Sequence, residues 1–142
     1  MRHLFLDTNV IIDVLSNREP FSNIASRLLD YGEKGKINIY ISALSYSNIY
    51  YILRKFCNHK EMVSLLKDLN AISTTLAVTE SIIAKSIDST LKDFEDSIQL
   101  YTAYSNKKIQ AIVTRDIKGF KSSEIAVLTP EEALGIIEKG GA

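Results

Sequence analysis

The chain has 142 residues, the usual size of one domain and enough to bury a substantial core. Lysine plus arginine and aspartate plus glutamate each number 17, so the formal net charge is zero. This balance excludes a binder of nucleic acid that works through bulk positive charge, while a local basic patch beside an acidic site stays open. The single cysteine, Cys57, excludes an intrachain disulfide and fits a cytoplasmic setting, and no apolar run approaches the roughly 18 residues of a membrane span.

The apolar residues predict short strands that alternate with helices, in one domain over residues 1–142 with a loose tail at about 139–142. In chain order the pattern predicts a strand at 4–6, a helix that ends before a loop at 17–20, a helix at 21–35, a strand at 37–41, helices at 43–57 and 60–70, a strand at 72–76, helices at 80–90 and 94–107, strands at 111–114 and 125–128, and a last helix from 130. Such alternation is typical of the α/β class, with a mainly parallel sheet covered by helices on both faces.

The first strand ends abruptly in a carboxylate. The apolar residues 4–6 are followed by Asp7, then by the small polar residues Thr8 and Asn9, and a second carboxylate follows at Asp13. This pattern predicts a buried strand that delivers Asp7 to the rim of the sheet. Asp13 would lie near the same pocket, one or two turns down the first helix.

Other carboxylates follow the end of a later strand and open a later helix. Asp116 comes two residues after Thr114, at the end of the predicted fourth strand, and Asp93 and Asp96 open the helix before that strand. Ligands of open α/β sheets bind at the carboxyl ends of the strands, so Asp7 and Asp116 would meet if their strands are neighbours. Carboxylates brought together cannot all stay ionised without a cation, and an all-oxygen ligand set suits Mg²⁺ or Mn²⁺.

Each of these acids also has a purely structural interpretation. Asp93 is a good N-cap, Asp96 would interact well with the helix dipole, and Asp7 could cap the first helix. Asp116 could be a turn residue and Asp13 a solvated helix residue. The convergence of several acids on one rim is what favours a metal site.

At three places the sequence resembles the PIN domain family, and within it the bacterial stand-alone proteins of the VapC toxin type. The matching segments are 6–13, 93–99 and 112–116, in the same order and spacing. The resemblance implies a three-layer α/β/α fold and a Mg²⁺- or Mn²⁺-dependent endoribonuclease. It also implies RNA as the substrate and, for a small toxin, an antitoxin protein as partner.

The resemblance assigns roles to particular residues. Asp7, Asp96 and Asp116 match three of the family's four acidic metal-site residues, with Asp93 as an accessory acid. The fourth is usually a glutamate on the helix after the second strand, where this chain has Asn48. An asparagine oxygen can still coordinate metal or orient water, but the lost negative charge predicts weaker metal binding.

Supporting and substrate-binding residues follow from the same match. The residues that would support the site are Thr8, Asn9 and Thr114, together with Asp13 on the first helix. Related sequences often carry a carboxylate where this chain has Gly119. Cations that flank the acidic cleft would bind the RNA backbone, with three candidates: Arg115, which adjoins Asp116, Lys118 and Arg18. The apolar, tyrosine-rich helix at 43–57 predicts a homodimer.

Two other functions compete with the nuclease. The first is a catalytically weakened PIN-like module that binds RNA or a protein, which Asn48 and Gly119 favour. The second is a phosphohydrolase of the haloacid dehalogenase type, with Asp7 as nucleophile. That chemistry needs a second aspartate two positions on, where this chain has Asn9, and no convincing partner lysine is present.

Overall fold

The computed structural model describes residues 2–140 and contains one five-stranded sheet in which every strand pairs in parallel with its neighbours. The strands are β1 (His3–Leu6), β2 (Asn38–Ser42), β3 (Ser73–Leu76), β4 (Ala111–Val113) and β5 (Ala126–Leu128). Their order across the sheet is β3-β2-β1-β4-β5. The strand order therefore reverses beside the central strand β1, which is where open α/β sheets bind their ligands.

The helices also follow the predicted order. They are α1 (Thr8–Leu15), α2 (Phe21–Glu33), α3 (Ala43–Leu53), α4 (His59–Ala71), α5 (Glu80–Ile87), α6 (Phe94–Tyr104) and α7 (Pro130–Lys139). A short 3₁₀ helix, Ile117–Phe120, has no counterpart in the sequence pattern because a single turn is too short to show a period. The structure thus confirms the predicted α/β class.

Some helix ends differ from the prediction. The helices α3, α5 and α6 each end a few residues earlier than their apolar patterns indicate. After α3 the chain turns so that Asn58 and Glu61 can form a capping box at the start of α4, a local signal that competes with the apolar pattern. The helix α7 includes Lys139, where the loose tail is predicted to begin, and residues 141 and 142 lie outside the described residues.

The sheet separates two apolar cores, which confirms the three-layer arrangement. Side chains of β1 alternate, so Leu4 and Leu6 pack with α1, α2, α3, α4 and α7, while Phe5 packs on the opposite face. There Phe5 contacts the layer that contains Leu100 of α6 and Phe120 of the 3₁₀ helix. No helix in the described part of the chain is both long enough and apolar enough to cross a membrane.

The strands β1 and β4 are neighbours, as the convergence of their acids requires. The backbone N–H of Asp7 donates to the Val113 oxygen at 3.0 Å, and that of Thr114 donates to the Leu128 oxygen at 2.9 Å. Residues just past the ends of these strands therefore remain in register. Asp7 and Thr114 lie side by side at the carboxyl edge of the sheet.

Candidate metal centre

Asp7 is the most buried acid of the site, with 6% of its surface exposed. It caps α1: Oδ1 accepts the Thr8 N–H at 2.8 Å, and Oδ2 accepts the Thr114 hydroxyl at 2.7 Å. Burial raises the pKa of Asp7 to about 6, although both hydrogen bonds lower it. The negative charges of Glu95 and Asp116 raise the pKa of Asp7 further.

The hydroxyl of Thr114 connects the two strand ends. Besides donating to Asp7, Thr114 Oγ1 accepts the Asp116 N–H at 3.0 Å and the Asn9 side-chain amide at 3.3 Å. The Asn9 oxygen in turn accepts the Arg115 N–H at 3.4 Å. Thr114 and Asn9 thus fix the start of α1 against the loop that carries Asp116.

Asp96 and Asp116 face each other above the backbone of Gly119. A Cβ atom at Gly119 would lie 2.6 Å from Asp96 Oδ2 and 2.7 Å from Asp116 Oδ2. The Gly119 N–H also donates to Asp116 Oδ1 at 3.3 Å. Glycine at this position, which departs from related sequences, therefore leaves the space into which the two carboxylates project.

Asp96 lies among other acids in the first turn of α6. Partial burial raises the pKa of Asp96 to about 7, and the negative charges of Asp93, Asp7, Asp116 and Glu95 add to the rise. Asp93 is the N-cap of α6 and accepts the Asp96 N–H at 3.0 Å. Asp93 therefore has the helix-capping role that its structural interpretation predicts.

The structure adds Glu95, an acid that the sequence analysis does not single out. Asn48 on α3 donates from Nδ2 to Glu95 Oε1 at 3.0 Å. Partial removal from water and the neighbouring charge of Asp93 raise the pKa of Glu95, and the hydrogen bond from Asn48 lowers it. The only sequence signal for this contact is the amide of Asn48 at a position where a carboxylate is expected.

Three buried polar side chains, one each on α1, α3 and α6, connect these helices by hydrogen bonds. Thr8 Oγ1 lies 2.8 Å from Ser45 Oγ on α3, and Gln99 Nε2 of α6 donates to these two oxygens at 2.8 Å and 3.0 Å. Ser45 and Gln99 are further residues that the sequence analysis does not identify. The hydroxyl of Thr8 is therefore used within the protein, where it links the starts of α1 and α3 to the middle of α6.

Asp13 lies apart from the cluster and has cationic partners. It is almost fully buried, and Arg115 donates to it from Nε at 2.6 Å and from Nη2 at 3.1 Å. Arg18 Nη1 lies 4.0 Å from the same carboxylate, and the Arg115 guanidinium also packs over the ring of Phe21 at 4.3 Å. Two of the three predicted RNA-binding cations thus contact Asp13.

The third cation, Lys118, lines a cavity that adjoins the acids. This cavity has a volume of about 480 Å³, and Asp96 and Gly119 form part of its wall. Lys92 and Lys121 line it too. Within residues 2–140, however, no lysine or arginine forms an ion pair with Asp7, Glu95, Asp96 or Asp116.

The donors of this cluster suit a hard divalent cation. They are carboxylate oxygens, and the lack of a Cβ at Gly119 makes room for two of them. In the described residues no three His, Cys, Asp or Glu side chains are close enough together to hold one ion as they stand. Asp96, Asp116 and Glu95 are at least partly accessible to solvent.

Comparison with known proteins places the chain in a family. The family model described as PIN domain matches residues 3–118, most of the chain. The chain belongs to the PIN domain family. A comparison with curated protein sequences finds no significant match.

Solved structures show the same fold. VapC20 of Mycobacterium tuberculosis, a Sarcin-Ricin loop cleaving toxin, is 17% identical with a TM-score of 0.60, over 77% of this chain and 86% of that chain. FitAcB from Neisseria gonorrhoeae is 22% identical with a TM-score of 0.65, over 90% and 98% of the two chains. A toxin–antitoxin complex from Klebsiella pneumoniae contains a chain 23% identical with a TM-score of 0.65, over 90% and 97%.

Proposed function

We propose that this chain is a Mg²⁺- or Mn²⁺-dependent endoribonuclease and the toxin of a cytoplasmic toxin–antitoxin pair. The observation that carries the proposal is the pair of carboxylates, Asp96 and Asp116, that face each other above Gly119. Asp7 is held at the adjoining strand end by Thr114, whose hydroxyl also accepts the Asp116 N–H. Membership of the PIN domain family supports the same chemistry.

The residues of the cluster would bind and orient the ion. Asp7 is held by Thr114 and by the Thr8 N–H, and Asp116 by the Gly119 N–H, so two ligands are restrained before an ion arrives. Asp96, with a pKa of about 7, would release its proton when a cation approaches. When bound, Mg²⁺ lowers the pKa of a coordinated water and offsets the charge that develops on the phosphodiester.

The RNA strand would cross the lysine-lined cavity beside Asp96. Lys118, Lys92 and Lys121 supply positive charge there, which phosphate groups need in order to approach a cluster of acids. Arg115 and Arg18 would act from the other side of the rim, where both contact Asp13. A chain with no net charge could thus bind RNA through a local patch.

The partner surfaces are proposed on the outer side of α3 and the following turn. Tyr51, Ile52 and Phe56 are 64%, 48% and 79% exposed, a grouping of large apolar side chains that monomers usually bury. A homodimer contact is proposed there. The toxin–antitoxin complexes of similar fold support an antitoxin as a second partner.

Cleavage assays with single-stranded RNA would test the activity. We expect cleavage with Mn²⁺ or Mg²⁺, loss of cleavage with EDTA, and products that carry a 5′-phosphate. Asp7→Asn should lower the rate at least about 100-fold, since removing a residue that merely supports a metal ligand already costs 10–100-fold. Asp68→Asn, the same change at an exposed residue of α4, is the matched control.

The outcomes separate the nuclease from its rivals. RNA binding without cleavage in any divalent ion would favour the weakened binding module. A phosphorylated Asp7 trapped from a phosphate ester would favour the phosphohydrolase. Equal cleavage by the wild type and by Asp7→Asn would contradict the proposed centre.

A further inference from the structure

The contact between α3 and α6 places an amide against an acid at the edge of the centre. Asn48 Nδ2 donates to Glu95 Oε1 at 3.0 Å, and Glu95 is next to Asp96 in the chain. The only side-chain hydrogen bond of Glu95 among the described residues is this one. The amide therefore selects one orientation of the Glu95 side chain out of the several that a first-turn glutamate can adopt.

In this orientation Glu95 is near the other acids. Glu95 lies one turn from Gln99 on α6, and Asn48 lies one turn from Ser45 on α3. Gln99 donates to Ser45 Oγ and to Thr8 Oγ1, and Thr8 is next to Asp7 in the chain. An acid placed in the first turn only for the helix dipole would gain most by extending into solvent, away from other carboxylates. Asn48 instead holds Glu95 close to them.

The amide at position 48 complements the acid at position 95. A carboxylate in place of the amide would face Glu95 Oε1 at hydrogen-bond distance, and the two would repel. An amide donor removes that repulsion and leaves the second oxygen of Glu95 free to face a cation. The pair thus contributes one negative charge, the same as an acid on α3 paired with a neutral residue on α6.

We propose that Glu95 is the fourth carboxylate ligand of the metal centre and that Asn48 is the residue that positions it. The proposal rests on the metal-dependent function proposed above. It removes the expected weakness of a site with asparagine at position 48, because the missing charge is supplied by α6 across the same contact.

An exchange of acid and amide tests this pair without changing side-chain size. Purified full-length protein is titrated with Mn²⁺, and the free ion is measured by electron paramagnetic resonance. The variants are Glu95→Gln, Asn48→Asp and the double variant with both changes. Asp116→Asn is the reference for a lost ligand, and Glu131→Gln, at the same second position of α7, is the matched control.

We expect Glu95→Gln to weaken Mn²⁺ binding at least about 10-fold and Glu131→Gln to leave it unchanged. The double variant should recover most of the loss, because a carboxylate and an amide again face each other. Without metal, Glu95→Gln should raise the melting temperature by about 2–4 °C, since it relieves repulsion among the acids. Weaker binding by a more stable protein cannot come from unfolding.

Three results would overturn the proposal, and they can be told apart. Loss of Mn²⁺ binding in Asp116→Asn with wild-type binding in Glu95→Gln would reject Glu95 as a ligand and leave the nuclease proposal standing. No Mn²⁺ binding by the wild type would reject both. Equal weakening in Glu95→Gln and Glu131→Gln would show a general charge effect and reject the specific role of Glu95.

Discussion

The buried Asp13 and the cluster of acids around Asp7 differ in how their negative charge is balanced. Asp13 is 1% exposed and accepts two hydrogen bonds from Arg115, with Arg18 nearby. Asp7, only six residues earlier, lies among Glu95, Asp96 and Asp116, and within residues 2–140 none of these four has a cationic side chain paired to it. The protein thus supplies cationic side chains for Asp13 and, within residues 2–140, pairs none with the other four acids.

The contrast distinguishes an acid whose charge is compensated within the fold from acids whose charge is not. A buried carboxylate with its own guanidinium is satisfied within the fold, and its removal from water is compensated. Carboxylates that raise one another's pKa store repulsion, which a divalent ion can relieve. Breaking the Arg115 pair tests the compensated Asp13. Changes in Mn²⁺ binding and in the pH dependence of stability test the cluster.

The largest effect is expected from breaking the balanced pair. Arg115→Ala should lower the free energy of unfolding by about 3 kcal/mol, because it leaves the buried Asp13 charge with only the more distant Arg18. Urea denaturation measures this loss. Adding Asp13→Asn to the variant should recover part of it, and a loss below about 1 kcal/mol would mean that the pair acts like an exposed surface pair.

A smaller effect is expected from filling the space above Gly119. Gly119→Ala should weaken Mn²⁺ binding about 10-fold, because a Cβ at 2.6 Å from Asp96 Oδ2 and 2.7 Å from Asp116 Oδ2 forces both carboxylates to move. Calorimetric titration measures the affinity.

The matched control for this change is Gly135→Ala in α7, where a Cβ would meet nothing within 4 Å. It should leave Mn²⁺ binding unchanged and stabilise the protein by about 0.5–1 kcal/mol, because alanine loses less conformational entropy in a helix. Wild-type affinity in Gly119→Ala would show that ions do not bind between Asp96 and Asp116.

The smallest effect is expected in the pH dependence of the metal-free protein. The folded pKa values of Asp7, about 6, and Asp96, about 7, lie above their ordinary value of 3.8. The protonated forms of these two groups therefore add to the free energy of unfolding. This contribution is fully present below about pH 4 and is lost as the pH rises through about 6 to 7. Between about pH 5 and pH 8 the melting temperature of the wild type should fall by about 2–4 °C relative to that of Asp96→Asn.

Asp68→Asn should keep the wild-type slope, since Asp68 lies outside the cluster on α4. Saturating Mn²⁺ should reverse the trend, because protons compete with the ion for the same oxygens. If the melting temperatures of the wild type and Asp96→Asn changed equally with pH across this range, the result would contradict an uncompensated cluster.

Local signals in the chain were sufficient for the order and type of the strands and α-helices. Apolar runs, alternation and caps such as Thr129 with Glu132 act over a few residues, so they can be recognised without tertiary contacts. The convergence of Asp7 and Asp116 followed from the parallel sheet, because neighbouring strands end at one edge. Helix ends were less certain, as at α3, where the capping box of α4 ends the helix early.

Side-chain partners depended on packing between elements far apart in the chain. Asp13 and Arg115 are 102 residues apart, and Asn48 and Glu95 are 47 apart, so no local pattern relates them. The packing of α1 beside β4 and of α3 beside α6 decides that one acid receives a guanidinium and the other an amide. Periodicity could place carboxylates at the edge of the sheet, but which of them stay unbalanced is a property of the folded contacts alone.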